Sequence, residues 1–509
     1  MKKWLGLAVV VCTATLFAAS SDWTMFSGDP QRTGAVKDET DLTKESVSHL
    51  KLLWKTKLEN KTKELNSLTV PVVASYVYAP GGIKDYAIVA GSDDNVYSLD
   101  GETGKVVWQK HFAVNGKPSQ TAYLFCPNAL NATPVMDRQK LVTYVLASDG
   151  QLHSLKVVNG DEDPAPRAFT APFAKTWSLN LANGTIYTAT SNGCNGVPAA
   201  IYAIDAGGSE VRKFLAVHTY GAGIWGRAGV AAGSDGTVYA TTGDGSFDAE
   251  KEQFPDSVLA VDGKTLKLKD YFTPRNNKRL WKKDLDMGNI TPSVFSYKGK
   301  ELVTAGGKEG YIFLLDAKSM GGADHLTPLY QSELLTNAGA DFSGHGIWGA
   351  FGTYQDKGGK RWLYAPAWGP TTDAVKYPLT YGDTADGSVL AFEVTGPADN
   401  PVLQPAWKSV NMSIPEPVAI ANDVVFALAS GDNPVQTDPN GTLYKSDYRA
   451  SHPSGHAIVY ALDAQTGKVL YSSGDAIPGF SHFAGLAVAG GRVYTVTWDN
   501  TVYAFGLPE

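Results

Sequence analysis

Short runs of alternating apolar and polar residues, most of them ending at an acidic residue, recur along the chain. They read NVYSLD (95–100), QLHSLK (151–156), AIYAID (200–205), SVLAVD (257–262), YIFLLD (311–316), SVLAFE (388–393), IVYALD (458–463) and TVYAFG (501–506). A period of two over such short lengths predicts half-buried strands. Most runs follow another apolar stretch and a Gly/Asp turn, as in TYVLASDG, VYATTGDG and LVTAGGKEG, and lead through a turn into a further apolar stretch. No long amphipathic helix is predicted. Eight such units, roughly 45–75 residues apart, cannot bury their apolar faces alone. The pattern predicts an all-β, eight-bladed β-propeller, in which radial closure removes exposed edges.

The two chain ends test this reading. TVYAFGLPE stops before any following outer strand, whereas LKLLWKTKL (50–58) reads as an outer strand with no inner strands before it. Each end supplies what the other lacks, so one blade is expected to close with strands from both termini. Residues 22–509 then form a single propeller domain. The segments VYSLDGETGKVVW (96–108) and VYALDAQTGKVLY (459–471) are near copies, and their turn chemistry accounts for the echo. Asp100 can accept bonds from turn amides, Gly104 can take a positive φ, and Trp108 offers a broad face to the neighbouring blade.

Composition adds compartment and charge. The first 21 residues carry Lys2 and Lys3, about fifteen mostly apolar residues including Cys12, and small residues at Ala18 to Ser21. This predicts a secretory signal peptide, too short for a membrane span, and hence a periplasmic or secreted protein. Its removal leaves 42 Lys and Arg against 51 Asp and Glu, a net charge of −9. An acidic chain with no basic cluster argues against nucleic-acid and anionic-membrane partners. No later stretch of 18 apolar residues offers a membrane span. Cys126 and Cys194 remain, either a disulfide or two separately buried thiols.

With these motifs in hand, the chain resembles the pyrroloquinoline-quinone (PQQ) repeat propellers of the quinoprotein alcohol dehydrogenase-like superfamily. The blade motif D-x-x-T-G-K-x-x-W stands at Asp100–Trp108, with a variant at Asp463–Tyr471, and WTMFSGDPQRTGA (23–35) resembles the N-terminal signature of these propellers. The superfamily holds both PQQ- and metal-dependent dehydrogenases and non-catalytic scaffolds, so fold alone leaves activity open.

The resemblance points to specific residues. TAGGKEGYIFLLD (304–316) is similar to the segment whose cation contacts the quinone, which implies Lys308; a solvated turn lysine is the other reading. WKKDLDMGNITPSVF (281–295) resembles the segment bearing the catalytic base, which implies Asp284, with Asp286 at an extra acidic position of lanthanide-type enzymes. Alternating carboxylates at a strand end would face one side and suit a hard metal, calcium or a lanthanide; turn acceptors are the alternative. VYATTGDGSFD (238–248) resembles a metal-ligand turn, with Asp244 where Asn is expected. GAGIWGRAGVAAG (221–233) and its echo GHGIWGAFGTYQD (344–356) offer Trp225 or Trp348 as a floor for a flat ring, or as inter-blade packing, with His345 and Trp368 as further cofactor-binding candidates.

The chain lacks the adjacent cysteines of many family dehydrogenases, and no Glu ligand stands out. It has no C-x-x-C-H haem motif, so electrons would pass to a separate acceptor. Two functions follow. One is a PQQ- and calcium-dependent dehydrogenase of a small-molecule alcohol or sugar. The other is a non-catalytic propeller that binds a protein or glycan.

Overall fold

The computed structural model describes residues 21–218 and 221–508; apart from Ser21, the expected leader lies outside the described residues. Eight antiparallel sheets stand as blades around one axis. The first pairs Val72–Ala79, Gly82–Gly91, Asn95–Asp100 and Val106–His111 in sequence order, and the pattern recurs six times. The eighth blade takes Leu486–Ala489, Arg492–Thr497 and Thr501–Gly506 from the C-terminal end. Its outer strand is Lys51–Lys57, paired antiparallel to Thr501–Gly506. The eight alternating runs each form the third strand of a blade, and the seam closes with strands from both ends. Helix is confined to short pieces such as Asn277–Lys283 and Ser446–Ser451.

The recurring turn locks blade to blade at three boundaries. Asp100 accepts bonds from the amides of Glu102 and Thr103, at 3.2 and 3.0 Å. Gly104 then takes φ +68, and a Cβ there would lie 2.5 Å from the Trp54 ring on the preceding outer strand. Trp54 donates its indole N–H to Gly101 O at 2.9 Å. The same arrangement joins Trp108 to Gly160 and Val157 O (2.8 Å), and Trp407 to Gly467 and Ala464 O (2.9 Å). A tryptophan face on a glycine, pinned by one indole hydrogen bond, is thus the repeated inter-blade contact.

A second device binds the ring from within. Residues 21–36 form a strap that hydrogen-bonds to all eight blades. Trp23 exchanges two backbone bonds with Val73, at 2.9 and 2.8 Å, and Thr24 O accepts from Met136 N. Pro30 O accepts from Asn180 Nδ2 and Ala232 N, Gln31 O from Val294 N, Thr33 O from Thr353 N, Gly34 O from Ile420 N and Ser21 O from Gly490 N. Arg32, fully buried, spreads its guanidinium over the carbonyls of Phe26 (2.6 Å), Leu179 (2.9 Å) and Val230 (3.0 Å). The extended signature at 23–35 is therefore a structural tie.

In this up-and-down order, the loops entering each blade and the loops joining its second and third strands emerge at the same end of the ring, opposite the Asp-Gly turns. Chemistry borne on those loops therefore converges on one mouth. Trp407→Ala should cost about 3–5 kcal/mol in urea unfolding, by loss of its buried face and its bond to Ala464. Trp281→Ala, at an indole 49% exposed, should change stability by less than about 0.5 kcal/mol.

Candidate functional site

An axial cavity of about 250 Å³ opens among these loops. On one side stand three carboxylates and a lysine. Asp284 ends the helix Asn277–Lys283 in the left-handed conformation (φ 53), which turns the chain inward. The two acidic residues expected on a strand end thus leave from a helix C-terminus instead, because the turn replaces the strand at this blade's entry. Asp244 follows the strand Thr237–Thr241, and Lys308 follows Lys300–Gly306 at the equivalent loop of the next blade. Lys308 Nζ lies 2.7 Å from Asp284 Oδ1 and 2.8 Å from Asp286 Oδ2. One carboxylate oxygen each from Asp244, Asp284 and Asp286 lies within 4.8 Å of the others. Asp284 is about half exposed to the cavity, and Asp286 is buried behind it.

The electrostatics follow from burial. Loss of water, with the Asp284 charge added, raises the Asp244 pKa above the usual carboxylate range. Burial raises Asp286 to about 7 against the pull of Lys308. Burial acts to lower the Lys308 pKa, but Asp286 and Asp284 outweigh it and hold the ammonium above its usual value. A fourth carboxyl, Asp256, has no exposed surface and no well-formed hydrogen bond to either oxygen; the Met287 amide acts on it only weakly. Burial, then the charges of Asp286 and Asp244, push its pKa well up.

The aromatic residues divide by position. Trp225 and Trp348 both line the cavity, and Lys308 Nζ sits 5.7 Å from each ring. Trp225 packs its indole on glycine backbone, since a Cβ at Gly223 or Gly243 would approach it to 2.4 or 2.6 Å. Trp368 and His345 do not line this cavity. Trp368 is buried and stacks on the back of Trp348 at 4.3 Å, and His345 supplies a carbonyl to the Trp348 indole N–H at 2.7 Å. Trp368 sits behind Trp348 because Arg361–Trp368, the second strand of its blade, delivers it into the core, whereas the His345 side chain is partly exposed. Cys126 and Cys194 form a disulfide across 5.4 Å between Cα atoms, tying the loops that carry the cavity residues Phe125 and Gly193.

The cavity is also lined by residues that no sequence motif marked. Arg227 is buried, ion-paired with buried Glu416, and its guanidinium lies 3.9 Å from the Phe483 ring centroid. Lys175 and Trp177 stand beside it. Arg227 lies inside the GAGIWGRAGVAAG segment but carries no signal there, since its partner is 189 residues away.

With this geometry in view, comparisons with known proteins are informative. A family profile described as outer membrane protein assembly factor BamB matches residues 25–214. Similar folds include the quinohemoprotein alcohol dehydrogenase of Comamonas testosteroni, at 17% identity, TM-score 0.58, and coverage of 97% of this chain and 82% of that one. The quinohemoprotein alcohol dehydrogenase ADHIIG of Pseudomonas putida HK5 gives 14%, 0.59, 96% and 80%. A europium-containing methanol dehydrogenase gives 14%, 0.57, 95% and 89%. The chain is an eight-bladed β-propeller whose residues 25–214 match that profile. At these identities the likeness to solved structures speaks for the fold of the propeller alone. No curated protein matches it.

The raised carboxyl groups give the propeller a pH signature. An acid protonated in the folded chain but ionised when unfolded lowers stability as pH rises through that interval. The raised Asp286 carboxyl should therefore cost metal-free protein stability to urea as pH rises between about pH 4 and pH 7. Asp256→Asn should gain on the wild type by up to about 1.4 kcal/mol per pH unit over the interval in which Asp256 keeps its proton. Parallel pH profiles would show that Asp256 is ionised in the fold.

Proposed function

We propose that this propeller is an exported quinoprotein dehydrogenase that oxidises a small alcohol or sugar and passes electrons to a separate acceptor. The observation that carries the reading is the meeting of Asp244, Asp284, Asp286 and Lys308 beside two indoles in one axial cavity. The residues suit the implied groups. A carboxylate trio with oxygens inside 4.8 Å is the donor set a hard cation takes, calcium or a lanthanide. Trp225, flattened on glycine backbone, is a floor for a planar ring, and Lys308 beside it is a counter-charge. When bound, PQQ supplies a two-electron acceptor and the cation a Lewis acid.

The chain's own residues perform the remaining tasks. Asp284, half exposed where Asp286 is not, takes the proton of a substrate hydroxyl. Asp286, behind it and charge-paired to Lys308, holds the lysine in place. Lys308, fixed between two carboxylates and two indoles, places a positive charge where negative charge develops during oxidation. The leader at residues 1–21 supports export, and the disulfide fits that compartment.

A second reading, a non-catalytic scaffold for a protein or glycan, is favoured by Lys308, which already neutralises Asp284 and Asp286 without a metal. Purified protein with PQQ and calcium or lanthanum separates the two, read by quinone absorbance and by dye reduction with primary alcohols. The dehydrogenase should retain quinone, lose it on chelation, and turn over. Asp284→Asn should keep the fold and lower turnover at least about 100-fold. Absence of bound quinone at high micromolar PQQ would leave the scaffold.

A further inference from the structure

A second cavity of about 80 Å³ adjoins the first, and Lys175, Trp177, Arg227 and Phe483 belong to both walls. Phe26 of the strap also lines it, so it extends toward the inner tie. Its volume suits two or three waters or one carboxylate, not a ring. Its charged side chains are Lys175, Arg227, Arg449 and the imidazole of His482. Arg227 is paired with Glu416, and both Arg449 and His482 face Asp432, at 3.8 and 2.6 Å. Lys175 differs. Among the described residues no carboxylate or hydrogen-bond acceptor meets its ammonium, and its recorded contact is the Trp177 ring at 5.2 Å. The residue is only 9% exposed, and burial alone pulls its pKa down to about 8. Arg227 Nη2, Arg449 Nε and both amide atoms of Asn131 also lack partners. An unpaired buried cation, surrounded by unused donors, weakens the fold unless a ligand brings the counter-charge.

We propose that this cavity is an anion subsite that takes the carboxylate of an acidic substrate, with the Lys175 ammonium as its counter-ion. The two cavities differ in charge: donors and cations gather at Lys175 in the smaller one, whereas the carboxylates of Asp284 and Asp244 line only the larger. A molecule spanning both has a hydroxyl at one end and a carboxylate at the other, which defines a hydroxy acid. Naming it a substrate rests on the dehydrogenase reading; the binding of the carboxylate does not.

Calorimetric titration of the quinone-free, full-length protein with glycerate, glycerol and acetate tests this without turnover, with Trp177 fluorescence as a second readout. Glycerate should bind at least tenfold more tightly than glycerol. Lys175→Met should abolish that preference and Lys175→Arg should retain most of it. The Met variant removes an unpaired buried charge, so it should unfold no more easily than the wild type, which thermal melting checks. Equal affinity for glycerate and glycerol, or an unchanged preference in Lys175→Met, overturns the subsite. Equal affinity for acetate and glycerate reduces it to a free-anion site and overturns the substrate class. Lys175-dependent glycerate binding in a protein that takes no PQQ leaves this inference standing and removes the quinone; PQQ binding without glycerate preference does the reverse.

Discussion

Closure of the ring is the constraint from which the rest follows. A sheet edge left open exposes unpaired backbone donors and acceptors, and a propeller avoids this only if its last blade meets its first. Here Lys51–Lys57 completes the sheet begun by Leu486–Ala489, so the covalent ends of the chain are held together by backbone hydrogen bonds. The strap of residues 21–36 reinforces the seam from inside, with Arg32 donating to the carbonyls of Phe26, Leu179 and Val230. Blade contacts built from a tryptophan on a glycine recur at three boundaries of the circle. Every loop at the mouth inherits its position from this frame, which is how side chains far apart in the chain come within ion-pair distance.

The axis is electrically divided. Carboxylates crowd around Lys308 and outnumber it, while Lys175 stands without a carboxylate beside Arg227 and Arg449, which are paired with Glu416 and Asp432. Neither arrangement serves stability, because burying charges without full compensation opposes folding. Sites where local rules are broken in this way are where function is expected. The disulfide between Cys126 and Cys194 steadies the loops that flank the larger cavity.

Much of this was legible in the sequence because the signals were local. Alternation over six residues marks a strand wherever it lies, and Asp100, Gly104 and Trp108 encode their turn within nine positions. The Asp244, Asp284, Asp286 and Lys308 set could be listed from family resemblance, and the fold brings its members together. Trp368, a further candidate, points into the core, a direction that depends on which strand carries it. Lys175 in FAKTWSLN and Asp256 in QFPDSVLA read as ordinary strand-edge and turn residues. Their oddity is burial without a partner, a sum over neighbouring blades that no short window contains. The short helix before Asp284 was likewise hidden among turn-forming residues.

The strap that ties the ring also lines its interior, since Phe26 forms part of the wall of the smaller cavity. The segment that holds the blades together thus also shapes the space on the axis, so a change in the tie would reach the cavity without altering any residue of the loops around it.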